Sequence, residues 1–227
     1  MSSVNTATKS KSIKEKIVVV DPAIHTPEIE CYNSLQDLSG LKLHYHLPAL
    51  FSGFSLPNID ESVRGIVLLG SSSSVHDQFD WQETLIKWLK TAIEKNIPIL
   101  GICFGHQLLA HMHGGKVGFV NQDRVKLVGC RKINFEWPCF DLPKSIQLFA
   151  THNEEVKTLP SGFERIASSD QIQFEGLKHK TKPILSLQAH PEATAEFAIA
   201  RGFSSESLKN ALTDGSLFMS GFLQSVK

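Results

Sequence analysis

No stretch of this chain is apolar for long enough to cross a bilayer. Its first residues, M-S-S-V-N-T-A-T-K-S-K-S-I-K-E-K, lack the apolar run of a secretory signal. Charge bias is also missing. Lys plus Arg and Asp plus Glu number 23 each, so no electrostatic pull toward nucleic acid or an anionic membrane is expected. No internal repeat is visible. Cysteine is sparse: Cys31, Cys103, Cys130 and Cys139 include no pair at metal-ligand spacing, and a chain of this length needs no disulfide staples. These absences lead to an expectation of reduced thiols, a cytoplasmic setting and no metal.

What is present is core material. Apolar residues make up 41% of 227 positions and charged residues 20%, enough for one substantial domain. Residues 1–16 are rich in Ser, Thr and Lys and read as a disordered lead-in, which leaves 17–227 as the domain. Ile17-Val18-Val19-Val20 and Gly65 to Gly70 read as strands buried on both faces, and Leu41 to Tyr45 as a second, alternating strand. Trp81, Leu85, Trp88, Leu89, Ala92 and Ile93 form one helical apolar stripe. A strand from Ile97 to Ile102 follows, then a helix through Leu108, Leu109 and Met112 that stops at Gly114-Gly115. This alternation predicts an α/β domain with a mostly parallel central sheet flanked by helices. Four later strand candidates, Val125 to Phe135, Ile146 to Ala150, Phe163 to Ser168 and Ile184 to Gln188, add a small antiparallel extension. The tail from Ser204 to Val226 reads as helical pieces interrupted by Gly215 and Gly221.

Gly101-Ile102-Cys103-Phe104-Gly105 places a cysteine where strand turns to helix, with a glycine two residues to each side. That is nucleophile-elbow spacing, in which a sharp turn lifts the reactive atom above the sheet edge. It also sets the sulfur at a helix N-terminus, where the dipole favours negative charge, and aims the Phe104 N–H at a developing oxyanion. Alone, the spacing fits a buried core cysteine equally well. A nucleophilic thiol needs a histidine nearby in space, and the chain offers ten. His106 reads as a pocket liner, His111 and His113 as solvated helix-end residues and His179 as surface. His152 reads either as a neighbour of the site or as structural. His190 differs, because it follows the strand Ile184 to Gln188, is fixed by Pro191 and precedes Glu192. Both Cys103 and His190 therefore stand at carboxyl ends of strands, where open α/β sheets place their sites.

Together G-I-C-F-G-H-Q and H-P-E, in that order, resemble the class I glutamine amidotransferases and their γ-glutamyl peptidase relatives. The segment Thr151 to Asp170 resembles the H-x-D-x-V…L-P…A-S-S-D stretch of GMP-synthase-like amidotransferase domains. The resemblance runs from about Gly65 to Glu192 and implies a flavodoxin-like fold. It also implies Cys103 as nucleophile, His190 as base and Glu192 as its support. Backbone N–H groups of Phe104 and Ser71 would form the oxyanion hole, Gly70 and Gln107 would bind substrate, and no cofactor would be needed. Two departures stand out: Gly70-Ser71-Ser72-Ser73-Ser74 where Gly-Pro loops are common, and Glu154 where Asp is usual. The chain reads as too short to add a synthetase domain. Three functions are consistent with it: a stand-alone glutamine amidotransferase serving a synthetase subunit in trans, a γ-glutamyl peptidase, or a non-catalytic module on the same fold. The intact Cys103, His190 and Glu192 argue against the third.

Overall fold

The computed structural model describes residues 15–53, 55–204 and 206–227. The lead-in of residues 1–16 lies outside the described residues except for Glu15 and Lys16, and Lys16 already belongs to the first strand. In chain order the first half comprises β1 (Lys16–Val20), α1 (Ile29–Leu38), β2 (Lys42–His46), β3 (Val63–Leu68), α2 (Asp80–Glu94), β4 (Ile99–Ile102) and α3 (Phe104–Met112). The second comprises β5 (Val117–Phe119), β6 (Leu127–Phe135), β7 (Ser145–His152), β8 (Glu154–Val156), β9 (Phe163–Ser168), β10 (Gly176–His179), β11 (Ile184–Leu187), α4 (Ala195–Ile199) and α5 (Ser207–Ser225).

A nine-stranded sheet in the order β2-β1-β3-β4-β11-β10-β9-β6-β7 runs through the molecule. The β2-β1-β3-β4-β11 half is parallel, and β11 through β7 is antiparallel. The antiparallel extension is thus four strands that continue the same sheet, while β5 and β8 form a separate pair. Strand β1 explains the layering. Ile17 and Val19 pack with Phe218, Met219 and Phe222 of α5, whereas Val18 and Val20 pack with Trp81, Leu85 and Leu89 of α2 and Leu108 and Leu109 of α3. A strand apolar at every position is the signature of this two-sided burial. No helix among the described residues is long and apolar enough to cross a membrane.

Six elements differ from the sequence reading: the short β5, β8 and α4, which it does not contain, and α1, β10 and α5. Helix α1 occupies a stretch with little pattern, because only Cys31 and Leu35 of its ten residues are buried. Strand β10 is four residues long, too short to show a period. Helix α5 is continuous through Gly215 and Gly221 rather than broken there. Gly215 stays in the helix because another backbone comes close: a Cβ would lie 2.5 Å from the Pro191 carbonyl oxygen. The helix therefore presses on the His190-Pro191-Glu192 turn. Gly215→Ala should cost about 1–3 kcal/mol through overpacking, read from denaturant unfolding. Thr213→Ala, at an exposed position of the same helix, should stay within about 0.5 kcal/mol.

Candidate active site

Cys103 is the single residue between β4 and α3, held at φ 51° and ψ −103°. Such a conformation costs a non-glycine residue about 1–3 kcal/mol and persists only where its surroundings enforce it. Here they do. The Cys103 N–H donates to the Leu187 carbonyl at 2.9 Å, which ties the turn to the end of β11. A Cβ at Gly105 would lie 2.4 Å from the Leu68 carbonyl oxygen, and one at Gly101 2.8 Å from the Gly105 carbonyl. The flanking glycines are thus required by close backbone approach.

His190 and Glu192 meet Cys103 from the next strand. The His190 N–H donates to the Phe149 carbonyl at 2.8 Å, and His190 Nδ1 bonds Glu192 Oε1 at 2.8 Å. Because the carboxylate can only accept, Nδ1 carries a proton in either charge state of the ring. Both side chains are almost fully buried. Burial works against a charged imidazole, but the Glu192 carboxylate and the Cys103 sulfur outweigh it and raise the His190 pKa. The Cys103 side chain bonds the His190 ring, Glu192 Oε2 is buried without a hydrogen bond among the described residues, and the Cys103 Sγ lies 3.9 Å from the Thr151 carbonyl oxygen.

The residues assigned to oxyanion and substrate contacts lie around this group. The N–H groups of Phe104 and Ser71 have no hydrogen-bond partner among the described residues. Gly70 abuts the imidazole, since a Cβ there would lie 2.9 Å from His190 Cε1. Gln107 is buried, with its amide committed to the Glu154 carbonyl at 2.7 Å and to Gln188 Oε1 at 3.2 Å. The serine loop is pinned. The Ser71 hydroxyl donates to the Pro22 carbonyl at 2.7 Å and accepts from Ser73 N–H at 3.1 Å. The Ser74 hydroxyl donates to Glu154 Oε1 at 3.1 Å. None of these serines has a positive φ.

Two cavities meet at Cys103. One, of about 240 Å³, lies on the His190 side and is walled by the loop after β1 and by Phe197 and Arg201. The other, of about 220 Å³, is walled by the serine loop, Gln107 and the Thr151 to Glu154 turn. Lys126 borders both. Sequence reasoning missed the groups that shape the first cavity. Buried Asp21 accepts the Ala23 N–H at 2.9 Å, the Glu28 N–H at 2.8 Å and the Tyr45 hydroxyl, so it folds the loop after β1. Glu28 pairs with Arg201, whose guanidinium lies 3.4 Å over the Phe197 ring, which in turn packs 4.9 Å from the His190 ring. Asp21 carries a readable signal, a carboxylate at the end of a buried strand. Glu28 and Arg201 carry none, because they stand far apart in sequence outside any pattern.

The other histidines divide. His106, expected to line the pocket, borders neither cavity at Cys103: it is wholly buried, bonds Ser186 Oγ at 2.9 Å, and burial lowers its pKa to about 3. His152 is buried beside the site, with Nδ1 donating to the Glu154 carbonyl at 2.8 Å and Nε2 accepting from Arg131 at 2.7 Å. Burial first and Arg131 second lower its pKa to about 3, so it is neutral. Arg131 itself is paired with buried Glu175 at 2.6 Å. His111 is exposed, while His113 and His179 are half-buried against Phe163. Burial raises the pKa values of the Cys31, Cys130 and Cys139 thiols, in keeping with inert cysteines. No group of three or more His, Cys, Asp or Glu among the described residues could hold a metal ion.

This fold and this site have counterparts. The glutamine amidotransferase class-I family model matches residues 36–201. A glutamine-hydrolyzing GMP synthase subunit from Methanocaldococcus jannaschii is 38% identical over 134 residues, 59% of this chain and 66% of the relative. Its namesake from Thermococcus kodakarensis is 41% identical over 99 residues, 44% of this chain and 53% of the relative. The chain thus aligns with between half and two thirds of the length of these relatives. A glutamine amidotransferase from Thermotoga maritima has the same fold, with a TM-score of 0.73 at 18% identity over 94% of this chain and 96% of that one.

The His190–Glu192 pair has a pH signature. Its raised pKa means that the fold favours the imidazolium, so His190 contributes stability in full below the unfolded histidine value of about 6.5. That contribution fades as pH rises through the folded value. Glu192→Gln removes the opposing charge and should bring the His190 titration, followed by NMR of the ring protons, down to a lower pH. An unchanged titration would show that Glu192 does not set the charge state of the ring.

Proposed function

This chain belongs to the class I glutamine amidotransferase family, and from that premise we propose that it hydrolyses the side-chain amide of glutamine through a thioester on Cys103. The Cys103 sulfur, having already given its proton to His190 Nε2, attacks the amide carbon, and the carbonyl oxygen becomes an oxyanion held by the N–H groups of Phe104 and Ser71. As the tetrahedral species collapses, the C–N bond breaks and His190 returns the proton to the leaving ammonia. Water then attacks the thioester, with His190 taking its proton, and glutamate leaves as the thiol is restored. Glu192 orients the ring and balances its positive charge. Gly70 shapes the substrate's approach. Gln107, whose amide is already committed to Glu154 and Gln188, shapes the pocket wall beneath the substrate.

The observation that carries this reading is the buried His190–Glu192 pair at 2.8 Å beside a cysteine in an enforced left-handed turn. A core thiol requires neither feature. The relatives' name, which is that of one part of a glutamine-hydrolyzing synthase, supports delivery of the ammonia to a synthetase subunit in trans. A second reading, a γ-glutamyl peptidase, draws on the two cavities that meet at Cys103. One has room for the glutamyl part and the other for a substituent on the amide nitrogen, such as the rest of a peptide.

Purified protein should release equal amounts of glutamate and ammonia from glutamine, and Cys103→Ala should lower that rate by about 10³-fold or more with unfolding unchanged. A glutamine-mimicking electrophile should label Cys103. Turnover that survives Cys103→Ala would refute the nucleophile assignment. Faster release of amine from γ-glutamyl dipeptides than of ammonia from glutamine would select the peptidase reading. Stimulation of glutaminase activity by an added synthetase subunit would select the amidotransferase reading.

A further inference from the structure

At the end of the sheet opposite Cys103 lies a third cavity, of about 320 Å³, that no step of the reaction uses. It is bounded by the starts of β4 and β11, by the turn after β6 and by the last turn of α5. Trp137, Phe140, Ile166, Ile184, Phe222 and Val226 give it an apolar wall. The Trp137 side is open to solvent, with that residue 59% exposed, and Phe140 is fixed by edge-on packing 5.4 Å from Phe218.

The polar inventory of this cavity is one-sided. No carboxylate lines it, and its charged groups are Lys178 and Lys182. Neither lysine has an ion-pair partner among the described residues; Lys182 Nζ makes one neutral contact, to Asn96 Oδ1 at 2.8 Å. The Trp137 indole N–H has no acceptor among them. The two proline carbonyls at the mouth are already taken, Pro98 by the Ile66 N–H at 2.8 Å and Pro183 by the Ile99 N–H at 2.9 Å. What is on offer is an apolar slot with cationic and N–H donors at its rim. Water satisfies the lysines but gains nothing from the slot, whereas a neutral apolar molecule fills the slot but leaves the donors unmatched.

We propose that this cavity binds an amphipathic organic monoanion of the aromatic carboxylate class, its rings against Trp137 and Phe140 and its carboxylate at Lys178 and Lys182. The lining points to the class: a flat apolar body suits an indole and a phenyl wall, and a carboxylate suits ammonium groups that have no ion-pair partner. The site is separate from the glutamine site, because β4 and β11 begin at this cavity and end at the residues that lead into Cys103 and His190.

The test uses the full chain, 1-naphthaleneacetate and its uncharged amide as probes, followed by calorimetry and by quenching of tryptophan fluorescence. The carboxylate should bind saturably with one site per chain and at least about tenfold more tightly than the amide, with the preference shrinking in high salt. The double variant Lys178→Met, Lys182→Met should abolish that preference while glutamine turnover stays at the wild-type rate, which also certifies the fold. Trp137→Phe should remove most of the quenching. Absence of saturable binding, equal affinity for acid and amide, or a preference that survives loss of both lysines would each overturn the proposal.

Discussion

Everything at the candidate site depends on one backbone constraint, the left-handed turn that Cys103 makes between β4 and α3. A cysteine does not adopt φ 51° willingly. The turn is held because α3 lies so close to β3 that a Cβ at Gly105 would meet the Leu68 carbonyl oxygen at 2.4 Å, while β11 takes the Cys103 N–H. Chain economy follows from this. A single residue separates the strand from the helix, so the sulfur stands at the N-terminus of α3. The strain is borne by the parallel core on both sides, where β3, β4 and β11 pair with one another and only Arg64 and Leu185 are not buried.

His190 is positioned by equally specific means, but from farther away in the chain. Strand β11 brings it alongside Cys103, an isolated bridge to Phe149 anchors its backbone, and α5 presses on Pro191 at Gly215. Its charge is set by Glu192, two residues on, and its outer face is covered by Phe197, which Arg201 caps. A histidine so enclosed has two partners, Glu192 and Cys103. Burial would discharge the ring, and only the adjacent carboxylate and sulfur keep the imidazolium favoured.

The parts of this that are legible in the sequence are those written in short-range spacing. The apolar runs Ile17 to Val20 and Gly65 to Leu69 announce strands covered on both faces, and the Trp81 to Ile93 stripe announces α2. Gly101-x-Cys103-x-Gly105 and His190-Pro191-Glu192 encode local backbone needs, so they can be read without knowing the fold. The illegible parts are long-range. Helix α1 buries too little to show a period. Gly215 and Gly221 look like helix breakers in isolation, whereas Gly215 is a close-approach residue once Pro191 is in view. Arg131–Glu175 and Glu28–Arg201 pair residues 44 and 173 positions apart, and nothing local to either partner marks it. His106 looks like a pocket residue by proximity to Cys103, but its helical direction carries it under the sheet to Ser186.

The two departures from the family pattern are one feature. Serines replace the usual Gly-Pro loop after β3, and Glu replaces Asp at position 154, and in the folded chain Ser74 donates to the Glu154 carboxylate. A Gly-Pro loop limits its own freedom through the proline ring. A serine loop cannot, so its shape has to come from hydrogen bonds: Ser71 to Pro22, Ser73 to Ser71, Ser74 to Asp77 and to Glu154. The longer arm of Glu over Asp gives the Thr151 to Glu154 turn the reach to meet Ser74. That turn also supplies the Thr151 carbonyl beside the sulfur and the Glu154 carbonyl that holds Gln107. The loop that offers the Ser71 N–H and the turn that flanks Cys103 are therefore fastened to each other. Replacing either Ser74 or Glu154 alone would loosen both walls of the second cavity.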